Sequence, residues 1–231
     1  DTAQGPDLFR LARFGPSLRH LVKTDQDMSR IVPGVIAMAI IVVASNILVQ
    51  YQLGKWLTWG ALSYPVAFLV TDIMNRVYGS AAARKVVLAG FVTGVLCSLV
   101  AAGLDKTTLR IAIASGAAFL SAQLMDIAVF NQLRKYNWWL PPLVASIVGS
   151  VLDTAVFFSI AFAAELTPIF PSDDVFWANE RLPLLGSGPV APLWVSLAAA
   201  DWLVKLAMAI LALVPFRIFV GNLIRRRTQI N

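Results

Sequence analysis

Apolar runs of roughly twenty residues recur along the chain, near 32–50, 57–77, 82–103, 109–131, 138–163 and 193–216. A helix rises about 1.5 Å per residue, so about 20 apolar residues cross a hydrocarbon core about 30 Å thick. Each run therefore predicts a transmembrane helix. Short polar breaks separate them, at Tyr51 to Trp56, Gly79 to Ala81, Leu104 to Thr108 and Gln132 to Asn137. The break from Ala164 to Pro192 is longer, acidic, and rich in proline and glycine. The expected fold class is all-α: a polytopic membrane protein with six transmembrane helices in a compact bundle. Its expected organisation is an amphipathic or disordered segment over 1–31, a six-helix domain over 32–217 and a basic tail over 218–231.

Composition agrees with that pattern. The 231 residues are 58% hydrophobic and 14% charged, with a mean hydropathy of +0.72, whereas soluble domains carry about 25% charged residues. Placing the N-terminus, the second and fourth loops and the C-terminus on one side gathers fourteen of the nineteen Lys and Arg there. Four, Lys55, Lys106, Arg110 and Arg181, fall on the other side, and Lys205 lies inside the sixth run. The positive-inside rule then predicts both termini in the cytoplasm, in a bacterial inner membrane. That distribution accounts for the net charge of +6 by topology and lipid attraction; no nucleic-acid partner is expected. Trp56 and Trp59, and Trp138 and Trp139 beside Pro141 and Pro142, fit interfacial belts. The chain opens on Asp1 with its first methionine at Met28, so a native start upstream, or removal of a tag or leader, is expected. Leu8, Leu11, Leu18, Leu21 and Val22, mixed with Arg10, Arg13, Arg19 and Lys23, suggest a helix on the membrane surface, with disorder around Gly15-Pro16 as the alternative.

Polar residues inside the runs are the informative ones. A charge at mid-bilayer costs about 2.5–3.5 kcal/mol on insertion scales, so such residues face a bundle interior or a wet cavity. Asp72, Asp126, Asp153, Asp201 and Lys205 all lie within predicted helices. Residues three, four or seven apart share a helix face. By that spacing Asn46 aligns with Gln50, Tyr64 with Thr71 and Asn75, Gln123 with Asp126, Ser146 with Ser150 and Asp153, and Asp201 with Lys205. The third run offers only Thr93 and Ser98 and is expected to serve packing. Bland roles compete with functional ones: interhelical hydrogen bonding for Asn46, Ser146 and Ser150, a structural ion pair for Asp201–Lys205, and a position near a helix end for Asp72 and Asn75.

Enzymatic chemistry finds little support. His20, the only histidine, precedes the first run, which leaves no serine–histidine dyad in the membrane. Cys97 is the lone cysteine, so no disulfide within the chain can form. No cluster has zinc-ligand spacing and no glycine-rich phosphate loop with a lysine is present. No catalytic residue, metal or cofactor is expected.

TDIMNRVYG (71–79), followed by ARKVVLAGF (83–91), resembles the signature of the queuosine precursor transporter family, also described as putative vitamin uptake transporters. RIAIASGAAFLSAQLMDIAVFNQL (110–133), WW-LPP (138–142), SIVGSVLDTAVFFSIAF (146–162) and then Lys205 and Pro215 follow in the family's order. The likeness covers about 35–217, with one departure: Arg76 stands where the family pattern has glutamate. The resemblance implies uptake of 7-deazaguanines, the 7-cyano or 7-aminomethyl precursors of queuosine, by a fold similar to the substrate-binding components of energy-coupling-factor transporters, with no ATPase required.

A guanine-like edge presents an N–H beside an exocyclic amine, which one carboxylate can accept bidentately while amides serve the carbonyl and ring nitrogen. Asp126 or Asp153 suits the carboxylate, Gln123 and Asn46 the amides, and Phe119 or Tyr64 the stacking platform. Asp72 would meet an aminomethyl cation. Asn75, Ser150 and Lys205 complete the candidate substrate-binding set. Convergence of the polar stripes on one cavity of a few hundred Å³ would favour transport. The alternative is a non-transporting subunit of a larger membrane complex, docking a partner protein through residues 1–31 or 164–192. A third reading is the capture component of an ATP-driven importer, which needs a small-residue docking face such as Ala81 to Ala83.

Overall fold

Inside lipid every backbone N–H and C=O must find its partner within the protein, which leaves helices as the economical solution for these apolar runs. The computed structural model describes the backbone of residues 16–230 and the side chains of residues 29–225. The expectations placed on residues 1–15, and on the side chains of Arg19, His20 and Lys23, lie outside the described residues. The chain divides into two compact units, Asp1–Pro33 and Gly34–Asn231. Helix α1 covers Pro16–Leu48 and has Pro33 inside it. A small hairpin, β1 (Gln52–Leu53) against β2 (Leu57–Thr58), leads into the one-turn helix α2 (Gly60–Ser63) and then α3 (Val66–Tyr78). Helices α4 (Ser80–Gly103), α5 (Leu109–Leu133), α6 (Leu140–Phe162) and α7 (Leu193–Ile230) follow.

Among the described residues, five helical segments are long and apolar enough to cross a membrane: Ser29–Leu48, Ser80–Gly103, Leu109–Leu133, Leu140–Phe162 and Leu193–Arg225. The predicted second helix, 57–77, is corrected. Its first residues pair as β2, and Pro65, which has no N–H to donate, interrupts the remainder. The backbone stays right-handed through Tyr64 and Pro65. There Ala67 N–H reaches Tyr64 O and Phe68 N–H reaches Pro65 O, the tighter i→i−3 pattern. The 13 residues of α3 span only about 20 Å. None of α3 is exposed: every residue is buried or half-buried, packed against α4, α5 and α7. Gly79 alone joins α3 to α4, at φ 89°, a conformation that costs glycine little.

Helix α4, expected to serve packing, is mostly exposed or half-buried. Thr93 spends its hydroxyl on Ala89 O of the same helix, and Leu88, Val92, Leu96 and Leu99 present an exposed apolar stripe of the kind that faces lipid. The sixth predicted helix, 193–216, extends to Ile230, so the expected tail from 218 is helical where it is described.

Arg110 also departs from expectation. The charge count places it among loop cations, yet it begins α5 and is fully buried. Its Nε donates to Ile160 O at 2.7 Å and its Nη2 to Ala163 O at 2.5 Å. These are carbonyls of the last turn of α6, which a helix leaves unpaired and partly negative. Phe170 lies 5.7 Å from the guanidinium, so Arg110 anchors the start of the 164–192 segment, where β3 (Arg181–Pro183) pairs with β4 (Val190–Pro192).

Helices α5 and α6 form the most extensive helix pair, and they approach closely where Gly149 faces Ala122. A Cβ at Gly149 would stand 2.7 Å from Phe68 Cε1 and 3.3 Å from Ala122 O. Gly149→Val should therefore destabilise the detergent-solubilised protein by about 1–3 kcal/mol in thermal unfolding. Gly103→Ala, with open space around it, should stay within about 0.5 kcal/mol of wild type.

Candidate functional site

Helix α3 carries Thr71, Asp72 and Asn75 into the interior. Thr71 Oγ1 donates to Gln123 Oε1 of α5 at 2.5 Å, which ties the two helices together and commits the acceptor end of that amide. The donor end, Gln123 Nε2, is buried and meets no partner. Ser146 Oγ of α6 donates to Asp72 Oδ2 at 3.4 Å, leaving Asp72 Oδ1 without a donor. One turn along α6 from Ser146, Gly149 makes room for Asp126. Neither oxygen of Asp126 meets a donor from the protein. Native interiors pair nearly all their buried polar groups, so these four atoms, on α3 and α5 either side of the Thr71–Gln123 bond, are candidates for contact with a ligand.

A second cluster lies between α6 and α7. Lys205 Nζ is 2.6 Å from Asp153 Oδ2, pairs with Asp201 Oδ2 one turn away, and donates to Thr154 Oγ1 at 3.0 Å. Thr154 Oγ1 in turn donates to Asp201 Oδ2 at 2.9 Å. One ammonium here serves two carboxylates, Asp153 and Asp201. Tyr64, held at the Pro65 interruption, joins the clusters. Its hydroxyl points at Asp153 Oδ1, 3.4 Å away, and its ring meets Phe119 edge-on at 6.0 Å. Lys205 Nζ lies 5.9 Å from that ring's centre.

Of the ten predicted residues, Tyr64, Asp72, Phe119, Gln123, Asp126, Asp153 and Lys205 come together in these clusters. Asn46 does not: its side-chain amide donates to Val42 O on its own helix. Ser150 is buried, but its hydroxyl is spent on Ile147 O. Asn75 serves the end of α3. Its Nδ2 donates to Ile127 O at 3.4 Å, and its own carbonyl accepts from Arg134 Nη2. Arg76 Nη1 completes that knot by donating to Arg134 O at 3.0 Å. Partial burial, and secondarily the Arg76 charge, lower the proton affinity of Arg134, though a guanidinium has ample margin to stay charged.

Thr71, Ser146 and Asp201 were visible as polar stripe members but lay outside the predicted binding set. Thr154 was missed, although a hydroxyl directly after an intramembrane aspartate was a usable signal. The polar stripes converge on a closed interior. The two described cavities lie elsewhere. One of about 400 Å³ sits among residues of the 164–179 segment, and one of about 580 Å³ is an apolar groove between α4 and α5.

The sequence matches the model of the family described as Putative vitamin uptake transporter over residues 58–220. Among curated relatives, a "Probable queuosine precursor transporter" of Haemophilus influenzae is 35% identical over 74% of this chain and 72% of the relative. The "Queuosine precursor transporter" of Escherichia coli is 31% identical over 81% of this chain and 85% of the relative. A "Probable queuosine precursor transporter" of Bacillus subtilis is 26% identical over 69% and 70%. No solved structure matches the chain significantly.

Lys205 is the one cation that meets buried Asp153 and half-buried Asp201, so removing it alone should hurt more than removing it together with Asp153. Lys205→Met should destabilise the detergent-solubilised protein by about 3–5 kcal/mol, and adding Asp153→Leu should recover part of that loss. Thermal unfolding of the two variants beside wild type decides it.

Proposed function

From the premise that this chain belongs to the Putative vitamin uptake transporter family, we propose that it is a multi-pass membrane transporter that takes up queuosine precursors. The finer proposal is uptake of 7-cyano- or 7-aminomethyl-7-deazaguanine across a bacterial inner membrane, with both termini in the cytoplasm. The observation that carries it is the set of four orphaned polar atoms between α3 and α5: Asp126 Oδ1 and Oδ2, Asp72 Oδ1 and Gln123 Nε2. Three acceptors and one amide donor, fully enclosed, complement a flat ligand that shows an N–H, an amine and a carbonyl along one edge. Asp126 would accept the N–H and the amine, and Gln123 Nε2 would donate to the carbonyl. Phe119 and Tyr64, already edge-to-face, supply the aromatic wall. Asp72 would face the 7-substituent.

Names of the relatives support the precursor class, and the enclosed edge supports binding within the membrane. Asp201 and Lys205, which would have favoured a complex subunit had they awaited a partner, are instead satisfied within the chain by Asp153 and Thr154. That observation weighs towards transport.

Complementation tests the proposal. Bacteria that lack precursor synthesis and their own importer should regain queuosine in tRNA when they express this chain and receive low 7-cyano-7-deazaguanine. The readout is the slower migration of modified tRNA on a boronate gel. Asp126→Asn removes an acceptor that bonds the base and should cut that recovery about tenfold or more at limiting precursor. No recovery by the inserted, stable wild type would overturn the precursor assignment.

A further inference from the structure

The side-chain amide of Gln123 has an acceptor end and a donor end, and the closed interior treats them differently. Its Oε1 accepts from Thr71 Oγ1 at 2.5 Å, while its Nε2 is buried without a partner. A separation of 2.5 Å belongs to O–H···O bonds and is too short for N–H···O, so the amide oxygen, not the nitrogen, faces Thr71. Both residues are 0% exposed, so neither end meets bulk water.

Hydroxyls inside a helix readily turn back onto a carbonyl of the preceding turn. Thr93 does so onto Ala89 O and Ser121 onto Ala117 O. Thr71 sends its proton across to α5 instead. A second rung keeps it there. Asn75 Nδ2 donates to Ile127 O, and Asn75 and Ile127 lie four residues beyond Thr71 and Gln123 respectively. The two rungs hold α3 and α5 parallel and in register, with Gln123 Oε1 kept on its donor.

Turning the amide over would set Nε2 against Thr71 Oγ1. The Thr71 proton, which meets no other acceptor among the described residues, would then be buried and unbonded. Resting on the deazaguanine reading above, we propose that Thr71 is a positioning residue: it leaves Nε2 as the end of Gln123 open to a ligand, and so makes the site prefer a base with a carbonyl at C6 to one with an amine there. A carbonyl accepts from Nε2. An amine would confront it donor to donor, and turning the amide over to relieve that clash strands the Thr71 hydroxyl. In Thr71→Val the branched shape stays and the donor goes. Either orientation of the amide then leaves one end unbonded towards α3, so carbonyl and amine are met on equal terms. Discrimination by Asp126 at N1 is common to wild type and to every Thr71 variant.

Competition binding on the purified, detergent-solubilised full chain tests this. The probes are 7-cyano-7-deazaguanine, its 6-amino counterpart 2,6-diamino-7-cyano-7-deazapurine, and its 6-thio counterpart, which keeps N1–H and the 2-amine but offers a sulfur that accepts weakly. Wild type should bind the 6-oxo base most tightly, by about tenfold or more over the 6-thio base. The ratio of 6-oxo to 6-amino affinity should fall about tenfold in Thr71→Val and return in Thr71→Ser, which keeps the hydroxyl. A role in stability alone would weaken both bases and leave that ratio unmoved. An unmoved ratio in a Thr71→Val protein that still binds the 6-oxo base overturns the inference, as does Thr71→Ser behaving like Thr71→Val; both results spare the transport reading. Equal wild-type affinity for the 6-oxo and 6-thio bases overturns it whatever the stability of the variants. Wild type that binds none of the three bases overturns the deazaguanine reading and this inference with it.

Discussion

Charge compensation at Lys205 is the interaction on which the interior is organised. An ammonium buried among helices needs counter-charges held at bonding distance, because the same low dielectric that strengthens a pair makes a lone charge costly. Asp153 from α6 and Asp201 from α7 supply them, and Thr154 fills the remaining donor direction. That fixes the register of α6 against α7 at one level. Tyr64 bonds to the same aspartate, so the level is handed on to the interruption before α3. Thr71 and Gln123 then set α3 against α5. The chain of contacts runs through four helices and ends beside Asp72 and Asp126, which pair with no cation among the described residues.

The opposite end of α3 is organised by different means. Asn75, Arg76 and Arg134 exchange hydrogen bonds with backbone carbonyls instead of carboxylates. Two guanidiniums sit at the C-terminal ends of α3 and α5, where the helix dipoles place partial negative charge. Arg76, which departs from the glutamate of the family pattern, is accommodated there because its acceptor is a carbonyl. A glutamate at 76 could not accept from that oxygen; it would have to reach the Arg134 guanidinium itself.

Much of this was legible in the sequence. Apolar run length found four of the five long spans to within a few residues, and the start of the fifth, since the bilayer thickness sets a sharp physical scale. Helical spacing found the faces of Gln123 and Asp126, and of Asp201 and Lys205. It failed at Asn46, because a single amide on a lipid-facing helix can satisfy itself on its own backbone, and periodicity does not distinguish that from a ligand contact. The break at Pro65 was underread: proline inside a run was visible, but whether it kinks or divides a helix depends on what packs around it. Arg110 was misplaced because a charge count sorts residues by position in the chain, while its burial depends on α6 ending where its carbonyls can be reached. Pairings across helices, such as Thr71 with Gln123, carry no signal in a single sequence, since nothing in spacing says which faces meet.

The shortness of α3 has a consequence for biogenesis. A 13-residue segment that holds an aspartate, an asparagine and an arginine is a poor candidate for entering lipid alone, both by length and by insertion cost. Its partners, Gln123 and Ser146, emerge from the ribosome about fifty and seventy-five residues later. During that interval α3 has to wait at the translocon or the interface, and it partitions only when α5 and α6 arrive to cover its polar face. The membrane embedding of the candidate site is therefore a late, collective event, and a truncation before α5 would leave the residues of α3 facing water instead of lipid.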